Sequence, residues 1–295
     1  MTSAELLVLG SGGRIGHLLR ALRARDPSVM GPGLALPGAV LWQSRRGGPG
    51  RLAWAPGADL PPALSARTVL CLWGVTSGEE EVLAQNVPLA LAAQRLARRI
   101  GADRVLHLSS AAVVAGHAGA HAGAIPDDAP PAPLTAYGRA KALAEKELSA
   151  SMRRHPDGPR AVLLRLGNLL GADSLSAAMI RARGAPVTLD RFADGTGPVR
   201  PYLGAADLAH VLGLLCALPH GALPARLNLA GPSPVAMEDI VVTAGLPLAW
   251  RPAPDGALHR LALDTSGLQA LAGPLPGSAT AAGLLAQWPA LTVPA

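Results

Sequence analysis

Tyr137 and Lys141 stand four residues apart and form the most informative pair in the sequence. The chain has only two tyrosines, and only two of its 26 basic residues are lysines, so arginine supplies almost every other cation. Positions i and i+4 share one face of a helix. A nearby ammonium group favours the charged form of a phenol and lowers its pKa. The spacing therefore predicts an acid/base site in which Lys141 makes Tyr137 more acidic.

A second chemical signature lies near the start of the chain, where Gly10, Gly13 and Gly16 follow the apolar run 6–9 and precede an amphipathic segment. Glycines at a strand–turn–helix junction let the backbone approach a pyrophosphate, whose charge meets the free amides at the helix start. We predict a dinucleotide site at this turn, to which Arg14 and Ile15 also contribute.

The next predicted strand indicates which dinucleotide is bound, because residues 42–46 read Trp-Gln-Ser-Arg-Arg and contain no acid. A carboxylate at this place would hold the ribose 2′-hydroxyl of NAD, whereas arginine accommodates the 2′-phosphate of NADP. Ser44, Arg45 and Arg46 therefore favour NADP as the cofactor, with NAD as the second choice.

Short apolar runs alternate with amphipathic segments, which predicts an α/β fold: a doubly wound parallel sheet with a small C-terminal substrate lobe. The predicted strands lie near residues 5–9, 40–43, 68–72, 104–108, 161–165 and 227–229. The predicted helices span 15–25, 80–100 and 136–150. The last helix is expected to bury Leu143 and Leu148 against the sheet and to leave Glu145 outside.

The alternation weakens beyond residue 171, which sets the predicted domain organisation. Residues 1–170 form the dinucleotide-binding domain, and residues 205–232 complete its sheet. Residues 171–204 and 233–295 form the small substrate lobe, since the closing segment is rich in proline and alanine.

Composition excludes several classes of partner. The net charge is +6, but the arginines are scattered and only 3% of the residues are aromatic, so no nucleic-acid surface is predicted. No uninterrupted apolar stretch reaches the length of a membrane span. Cys71 and Cys216 lie in apolar runs and are expected to be buried free thiols of a reducing compartment. With no signal peptide at the N-terminus, we predict a cytoplasmic protein with a small-molecule substrate.

Two other kinds of site are not predicted. His117 and His121 lie four apart in a loop rich in glycine and proline, but no third ligand accompanies them, so no metal site is expected. No Gly-x-Ser-x-Gly motif occurs, so the nucleophile typical of an α/β-hydrolase is missing.

Taken together, these residues resemble the extended short-chain dehydrogenase/reductase family, the NAD-dependent epimerase/dehydratase group, over nearly the whole chain. Beyond the glycine turn and the Tyr137/Lys141 pair, the resemblance rests on Asn86 and on segments 108–113 (LSSAAV), 165–171 (RLGNLLG), 199–208 (VRPYLGAADL) and 263–266 (LDTS).

The resemblance implies a role for each matching residue. Tyr137 is the acid/base, Lys141 lowers its pKa and holds the nicotinamide ribose, and Ser110 binds the substrate oxygen. Asn86 is implied to be a structural or proton-relay residue. Hydride would pass between a substrate carbon and the nicotinamide while Tyr137 moves the hydroxyl proton.

Asn168 and Arg200 match family positions that contact a substrate phosphate, which suits the several donors of a guanidinium. Only 31 residues separate them, which is short for a full sugar-nucleotide pocket. We therefore expect a smaller substrate, or weaker binding of the nucleotide part of the substrate.

The segment after residue 108 departs from the family pattern. The family usually reads SS-x-x-V-Y-G, and this chain reads SSAAVVAG over residues 109–116. If the pattern is aligned from its first serine, Ser110 takes the catalytic serine position. If it is aligned from its final glycine, Gly116, Ala111 takes that position. In both cases Ala115 lies near the position where the family has a tyrosine. Ala111 and Ala112 also replace the acidic pair that resembling dehydratases use to remove water, so dehydration is not expected.

We therefore expect an NAD(P)-dependent epimerase or dehydrogenase/reductase that acts on a secondary alcohol or ketone, such as a sugar or a sugar nucleotide. The sequence does not distinguish an epimerase from a dehydrogenase/reductase. The alternative is a non-catalytic NADP-binding protein, a redox sensor or assembly factor whose site has partly decayed. A homodimer formed through helices 80–100 and 136–150 is also expected from the resemblance.

Overall fold

The computed structural model of the protein describes residues 2–34, 38–61, 63–118 and 123–288. The strands of its central sheet, together with short strands outside it, are β1 (Thr2–Leu9), β2 (Val40–Ser44), β3 (Arg51–Ala53), β4 (Leu64–Cys71), β5 (Arg104–Ser110), β6 (Arg160–Leu166), β7 (Asn168–Leu169), β8 (Val187–Arg191), β9 (Val199–Arg200), β10 (Tyr202–Leu203), β11 (Arg226–Leu229), β12 (Val235–Ala236) and β13 (Leu248–Pro252).

The α-helices between and after these strands are α1 (Arg14–Arg25), α2 (Glu80–Leu83), α3 (Asn86–Arg99), α4 (Ala136–Arg154), α5 (Ser174–Ala182), α6 (Ala205–Ala217), α7 (Met237–Thr243), α8 (Ser266–Ala272) and α9 (Ala281–Ala286).

The central sheet is parallel throughout and has the strand order β3-β2-β1-β4-β5-β6-β11. The chain winds from β1 towards one edge and then returns to β4 and winds towards the other edge. In such doubly wound sheets, ligands bind at the carboxyl ends of the strands where the winding reverses, which is here between β1 and β4. The predicted doubly wound parallel sheet is confirmed.

Alternate side chains of β1 serve two apolar layers, because successive strand residues point to opposite faces of a sheet. Leu6 and Val8 belong to a large core that includes residues of α1 and α6, whereas Leu7 and Leu9 belong to a second core against α3. Helices thus cover both faces, as an all-parallel sheet requires. The two cysteines are free and buried, as predicted.

The short strands organise the lobe beside the sheet. β7 pairs with β10 and β8 with β13 in parallel, whereas β9 pairs with β12 in antiparallel fashion. β11 joins the sheet edge beside β6. The exact division into two domains stays a prediction.

The largest error of the sequence-based prediction concerns α4. Leu143, expected in the core, is 46% exposed, whereas Glu145, expected outside, is only 5% exposed. The buried face of α4 instead carries Lys141, Ala144, Glu145 and Leu148. A buried carboxylate is acceptable here because Arg165 of β6 lies against it, a partner that periodicity alone does not reveal.

Two smaller differences concern helix and strand boundaries. The single helix predicted over residues 80–100 is divided into α2 and α3, since the chain turns at residues 84–85. The loop predicted over residues 47–57 contains β3, a three-residue edge strand too short to show an alternating pattern.

Candidate active site

The glycine turn between β1 and α1 is packed so closely that side chains would not fit. Gly10 has φ +82°, and a Cβ there would lie 2.9 Å from Trp73. A Cβ at Gly16 would lie 2.5 Å from the Cα of Ser11, so α1 approaches the turn directly. Gly13 is the N-cap residue, and no side chain caps the helix. The first amides of α1 are therefore left for an anion, and the turn fits a pyrophosphate.

Gln43, at the end of β2, was not singled out from the sequence. Its Oε1 accepts hydrogen bonds from the Gly10 amide at 2.9 Å and from Trp73 Nε1 at 3.1 Å, and its Nε2 donates to the Trp54 carbonyl. The side chain is fully buried, so it braces the glycine turn and has no role left at the cofactor ribose. A polar residue inside an otherwise apolar strand was the available signal.

The three candidate ribose contacts follow Gln43. Ser44 is half-buried, lies next to Gly12 of the glycine turn and donates its hydroxyl to the Gly47 carbonyl at 3.1 Å. Arg45 and Arg46 are exposed beyond it. The end of β2 thus presents a hydroxyl and two cations close to the glycine turn.

Tyr137 lies in the first turn of α4, which is held firmly at its start. Thr135 accepts a hydrogen bond from the Gly138 amide at 3.0 Å and so caps the helix. A Cβ at Gly138 would lie 2.5 Å from the Ala112 carbonyl oxygen, so the helix packs directly on the segment that follows β5. This close approach brings the Tyr137 side chain within hydrogen-bonding reach of Ser110.

Ser110 ends β5, and its hydroxyl also accepts a hydrogen bond from the Ala112 amide at 3.2 Å. Ala111 is buried at the start of the following turn, and Ala115 is buried in the next one. Of the two residues that the sequence left open, Ser110 is therefore the one whose side chain meets Tyr137.

The electrostatics at Tyr137 differ from the expectation. Burial raises the pKa of the phenol, and only the hydrogen bond with Ser110 and the charge of Arg14 act in the opposite direction. The expected acidifying cation, Lys141, is buried and donates its ammonium to the Leu108 carbonyl at 2.7 Å. Burial in turn lowers the pKa of Lys141. The cation that acts on the phenol is thus Arg14, from the glycine turn.

Asn86 begins α3 and lies 2% exposed. Its Oδ1 accepts from the Val75 amide at 3.2 Å, and its Nδ2 donates to the carbonyls of Val75 at 2.9 Å and Leu83 at 2.8 Å. Both amide hydrogens are used, so this geometry suits a residue that shapes the loop after β4.

Asn168 joins a small cluster around Asp173, the residue that caps α5. Its Nδ2 donates to Asp173 at 3.2 Å, and the Tyr202 hydroxyl donates to the same carboxylate oxygen at 2.9 Å. Arg14 reaches the Asp173 backbone carbonyl at 3.5 Å. The glycine turn and the Asn168 cluster therefore face each other across one cleft.

Arg200 is half-buried in β9 and makes three hydrogen bonds to backbone carbonyls. Nη1 donates to Val199 and His259 at 2.9 Å each, and Nη2 donates to Leu258 at 2.6 Å. A guanidinium has five N–H donors, and these bonds use three of them. His117, considered as a metal ligand, contacts the Pro130 carbonyl at 2.8 Å, and its companion His121 lies outside the described residues.

The NAD dependent epimerase/dehydratase family matches residues 72–230, more than half of the chain. This span includes Asn86, Ser110, Tyr137, Lys141 and Asn168. The protein belongs to this family. The predicted family and the predicted class of enzyme, one that depends on an NAD-type nucleotide, are confirmed. A comparison with curated protein sequences gave no match.

Solved structures with a similar fold support the fold assignment. MoeE5 in complex with UDP-glucose and NAD is 23% identical, with 97% of both chains covered and a TM-score of 0.70. UDP-glucuronic acid 4-epimerase from Bacillus cereus in complex with NAD is 19% identical, with 96% and 95% covered and a TM-score of 0.71. TunA, an NAD dependent NDP-hexosamine 5,6-dehydratase, is 19% identical, with 96% and 97% covered and a TM-score of 0.70.

None of the helices in the described part of the chain is long and apolar enough to cross a bilayer.

Proposed function

We propose that this protein is an NAD(P)-dependent oxidoreductase or epimerase that acts at a secondary alcohol or ketone of a sugar nucleotide, with Tyr137 as its acid/base. The observation that carries the proposal is the meeting of Tyr137 and Ser110 at the end of β5, with Arg14 of the glycine turn close enough to act on the phenol. A proton-transferring group and a dinucleotide site thus share one cleft.

The backbone of the glycine turn, Ser44 and the neighbouring arginines would hold the cofactor, and Lys141 would bind its nicotinamide ribose. When bound, a nicotinamide cofactor supplies hydride transfer at the substrate carbon. Ser110 would hold the reacting oxygen of the substrate by a hydrogen bond. Tyr137 would take the proton of the alcohol during oxidation and return a proton to the carbonyl during reduction.

The choice of NADP rests on the end of β2. Gln43 is fully buried and uncharged, and the residues at the strand end that would meet the ribose are Ser44, Arg45 and Arg46. No carboxylate competes with a 2′-phosphate there, and the arginines would attract it. MoeE5 and the Bacillus cereus epimerase were solved with NAD, so the proposal separates this chain from those relatives.

Cofactor choice can be measured from tryptophan fluorescence. Trp73 packs on Gly10 and stacks on Trp54 with ring centroids 5.8 Å apart, so a nucleotide on the turn should change its emission. Parallel titrations should give tighter binding of NADP(H), and Arg45→Gln/Arg46→Gln should remove that preference. A tenfold preference of the unaltered protein for NAD(H) would overturn the NADP assignment.

The proposal of a sugar-nucleotide substrate is supported by the family and by the UDP-sugar ligands of the relatives. Asn168 and Arg200 would meet its phosphates. Because three N–H groups of Arg200 donate to backbone carbonyls, we expect it to bind a phosphate more weakly than a free guanidinium would. Product analysis separates the two reaction types, since an epimerase leaves the cofactor unchanged overall and a reductase does not. The cytoplasmic location and the homodimer stay predictions.

The decisive experiment is Tyr137→Phe, which removes only the phenolic oxygen. We expect kcat to fall by about a hundredfold or more, because general acid/base catalysis contributes at least that much. Cofactor affinity should stay close to that of the unaltered protein. Normal turnover by the variant would refute the acid/base role of Tyr137. Cofactor binding without turnover by the unaltered protein, across a panel of sugar nucleotides, would instead favour the non-catalytic alternative.

A further inference from the structure

A buried layer of charge lies beneath Tyr137, and of its three members only Lys141 has a part in the mechanism above. Lys141 and Glu145 stand one turn apart on α4, at 8% and 5% exposure, and Arg165 of β6 is fully buried beside them. Buried charges are costly unless each has a partner of opposite sign. The contacts of this layer therefore decide which group balances which.

The Glu145 carboxylate, on α4, is held by side chains from two strands, β5 and β6. Arg165 donates to both of its oxygens, from Nη2 to Oε2 at 2.8 Å and from Nε to Oε1 at 3.2 Å. Ser109 donates its hydroxyl to Oε1 at 2.5 Å. Arg165 is itself held by the Ala129 carbonyl at 2.8 Å. The carboxylate is consequently held in one place, one helical turn from Lys141.

The other titratable groups that face Lys141 are uncharged near neutral pH. Burial raises the pKa of the Cys71 thiol, on β4, to about 11, and lowers the pKa of His107, on β5, to about 3. Burial lowers the pKa of Lys141, and the negative charges of Cys71 and then of Glu145 raise it. Because the Cys71 thiol is uncharged near neutral pH, Glu145 is the group whose charge then favours the ammonium. These residues line a common cavity of about 10 Å³, the space of roughly one water.

We propose that Glu145 is a positioning residue of the active site, the counter-ion of the Lys141 ammonium. Arg165 and Ser109 hold the carboxylate in place for this task. The proposal rests on the proposed function only for the role that Lys141 then plays towards a cofactor. The effect of the Glu145 charge on Lys141 needs no ligand to be measured.

The composition of the chain makes a direct test possible. Lys141 and Lys146 are its only lysines, so protein labelled with [ε-13C]lysine should give two side-chain NMR signals, one from a buried ammonium and one from an exposed ammonium. In Glu145→Gln the pKa of Lys141 should fall by about 1 or more, because an opposite charge nearby is lost. The signal of Lys146 should titrate as before.

The matched control is Glu147→Gln, which removes the same charge from the same helix two residues further on. It should leave the pKa of Lys141 unchanged. Equal titration of Lys141 in Glu145→Gln and Glu147→Gln would overturn the proposal. Because this titration needs neither cofactor nor substrate, its outcome does not depend on whether the proposed function is correct.

Glu145→Gln leaves the buried guanidinium of Arg165 without its partner, which can prevent folding. The double variant Glu145→Gln/Arg165→Met removes both charges and avoids that cost. The pKa of Lys141 should again fall, by a smaller amount since a repelling cation is lost as well. A folded double variant in which Lys141 titrates as in the unaltered protein would equally refute the counter-ion role.

Discussion

At the scale of single residues, the notable feature is the division of labour between two cations. Lys141 lies below Tyr137 and is committed to the Leu108 carbonyl, whereas Arg14 approaches the phenol from the glycine turn. The Arg14 side chain is exposed and also touches the Asp173 carbonyl across the cleft. One residue therefore connects the proposed dinucleotide site, the acid/base and the substrate lobe.

This arrangement predicts a pH effect for Arg14→Gln. The charge of Arg14 lowers the pKa of Tyr137, so its loss should raise that pKa. Oxidation of an alcohol needs the deprotonated phenol and fades as the pH falls below its pKa. The acid limb of the pH profile of kcat in the oxidative direction should therefore move to higher pH. The profile is measured at saturating cofactor, so that weaker binding does not enter.

Arg139→Gln is the corresponding control, because Arg139 lies on the exposed side of α4 and pairs with Glu80 at 2.6 Å. It should leave the profile where it was. If Arg14→Gln moves the acid limb no more than this control, Arg14 has no electrostatic role at Tyr137.

At the scale of elements, the position of α4 depends on the absence of one side chain. Gly138→Ala should favour an isolated helix, since alanine is about 1 kcal/mol better than glycine in a helix interior. In the folded protein the added methyl would instead meet the Ala112 carbonyl at 2.5 Å. We expect the free energy of unfolding, measured in urea, to drop by about 1–3 kcal/mol. Activity should fall as Tyr137 moves away from Ser110.

Gly221→Ala tests whether the effect comes from this contact. Gly221 lies in a single turn at His220–Ala222, and a Cβ there would meet nothing within 4 Å. Its unfolding free energy should stay within about 0.5 kcal/mol of that of the unaltered protein. A Gly138→Ala protein as stable and active as Gly221→Ala would contradict the close packing.

The sheet was well predicted because a parallel strand buried on both faces is a continuous apolar run, and each of the six predicted runs became a strand. The glycine turn and Tyr137 could be proposed from the sequence for a similar reason, because the motifs that contain them are local along the chain. Glu145 was placed wrongly because its burial depends on Arg165, twenty residues away. Helical periodicity does not register such a partner. The arginine inside the apolar run 161–166 was a signal that a buried partner is needed, although Arg104 shows that backbone carbonyls can also serve.

At the scale of the whole molecule, the exposed side of α4 supports the expected homodimer. Leu143 is 46% exposed there, and Val82 of the neighbouring α2 is 48% exposed. If a second copy covers this face, Leu143→Glu should convert the dimer to a monomer, as measured by light scattering. Val242→Glu, at a still more exposed apolar residue of α7, should not change the mass. A monomeric unaltered protein would dismiss the homodimer.

One apolar core joins the sheet to the lobe, since Leu6 of β1 and Trp288 near the end of the described chain belong to the same cluster. The two walls of the cleft should consequently melt together in a single cooperative transition. Any compound that binds to either wall of the folded protein would then raise the melting temperature of the entire protein. A thermal-shift screen of nucleotide sugars could find the natural ligand before any turnover assay exists.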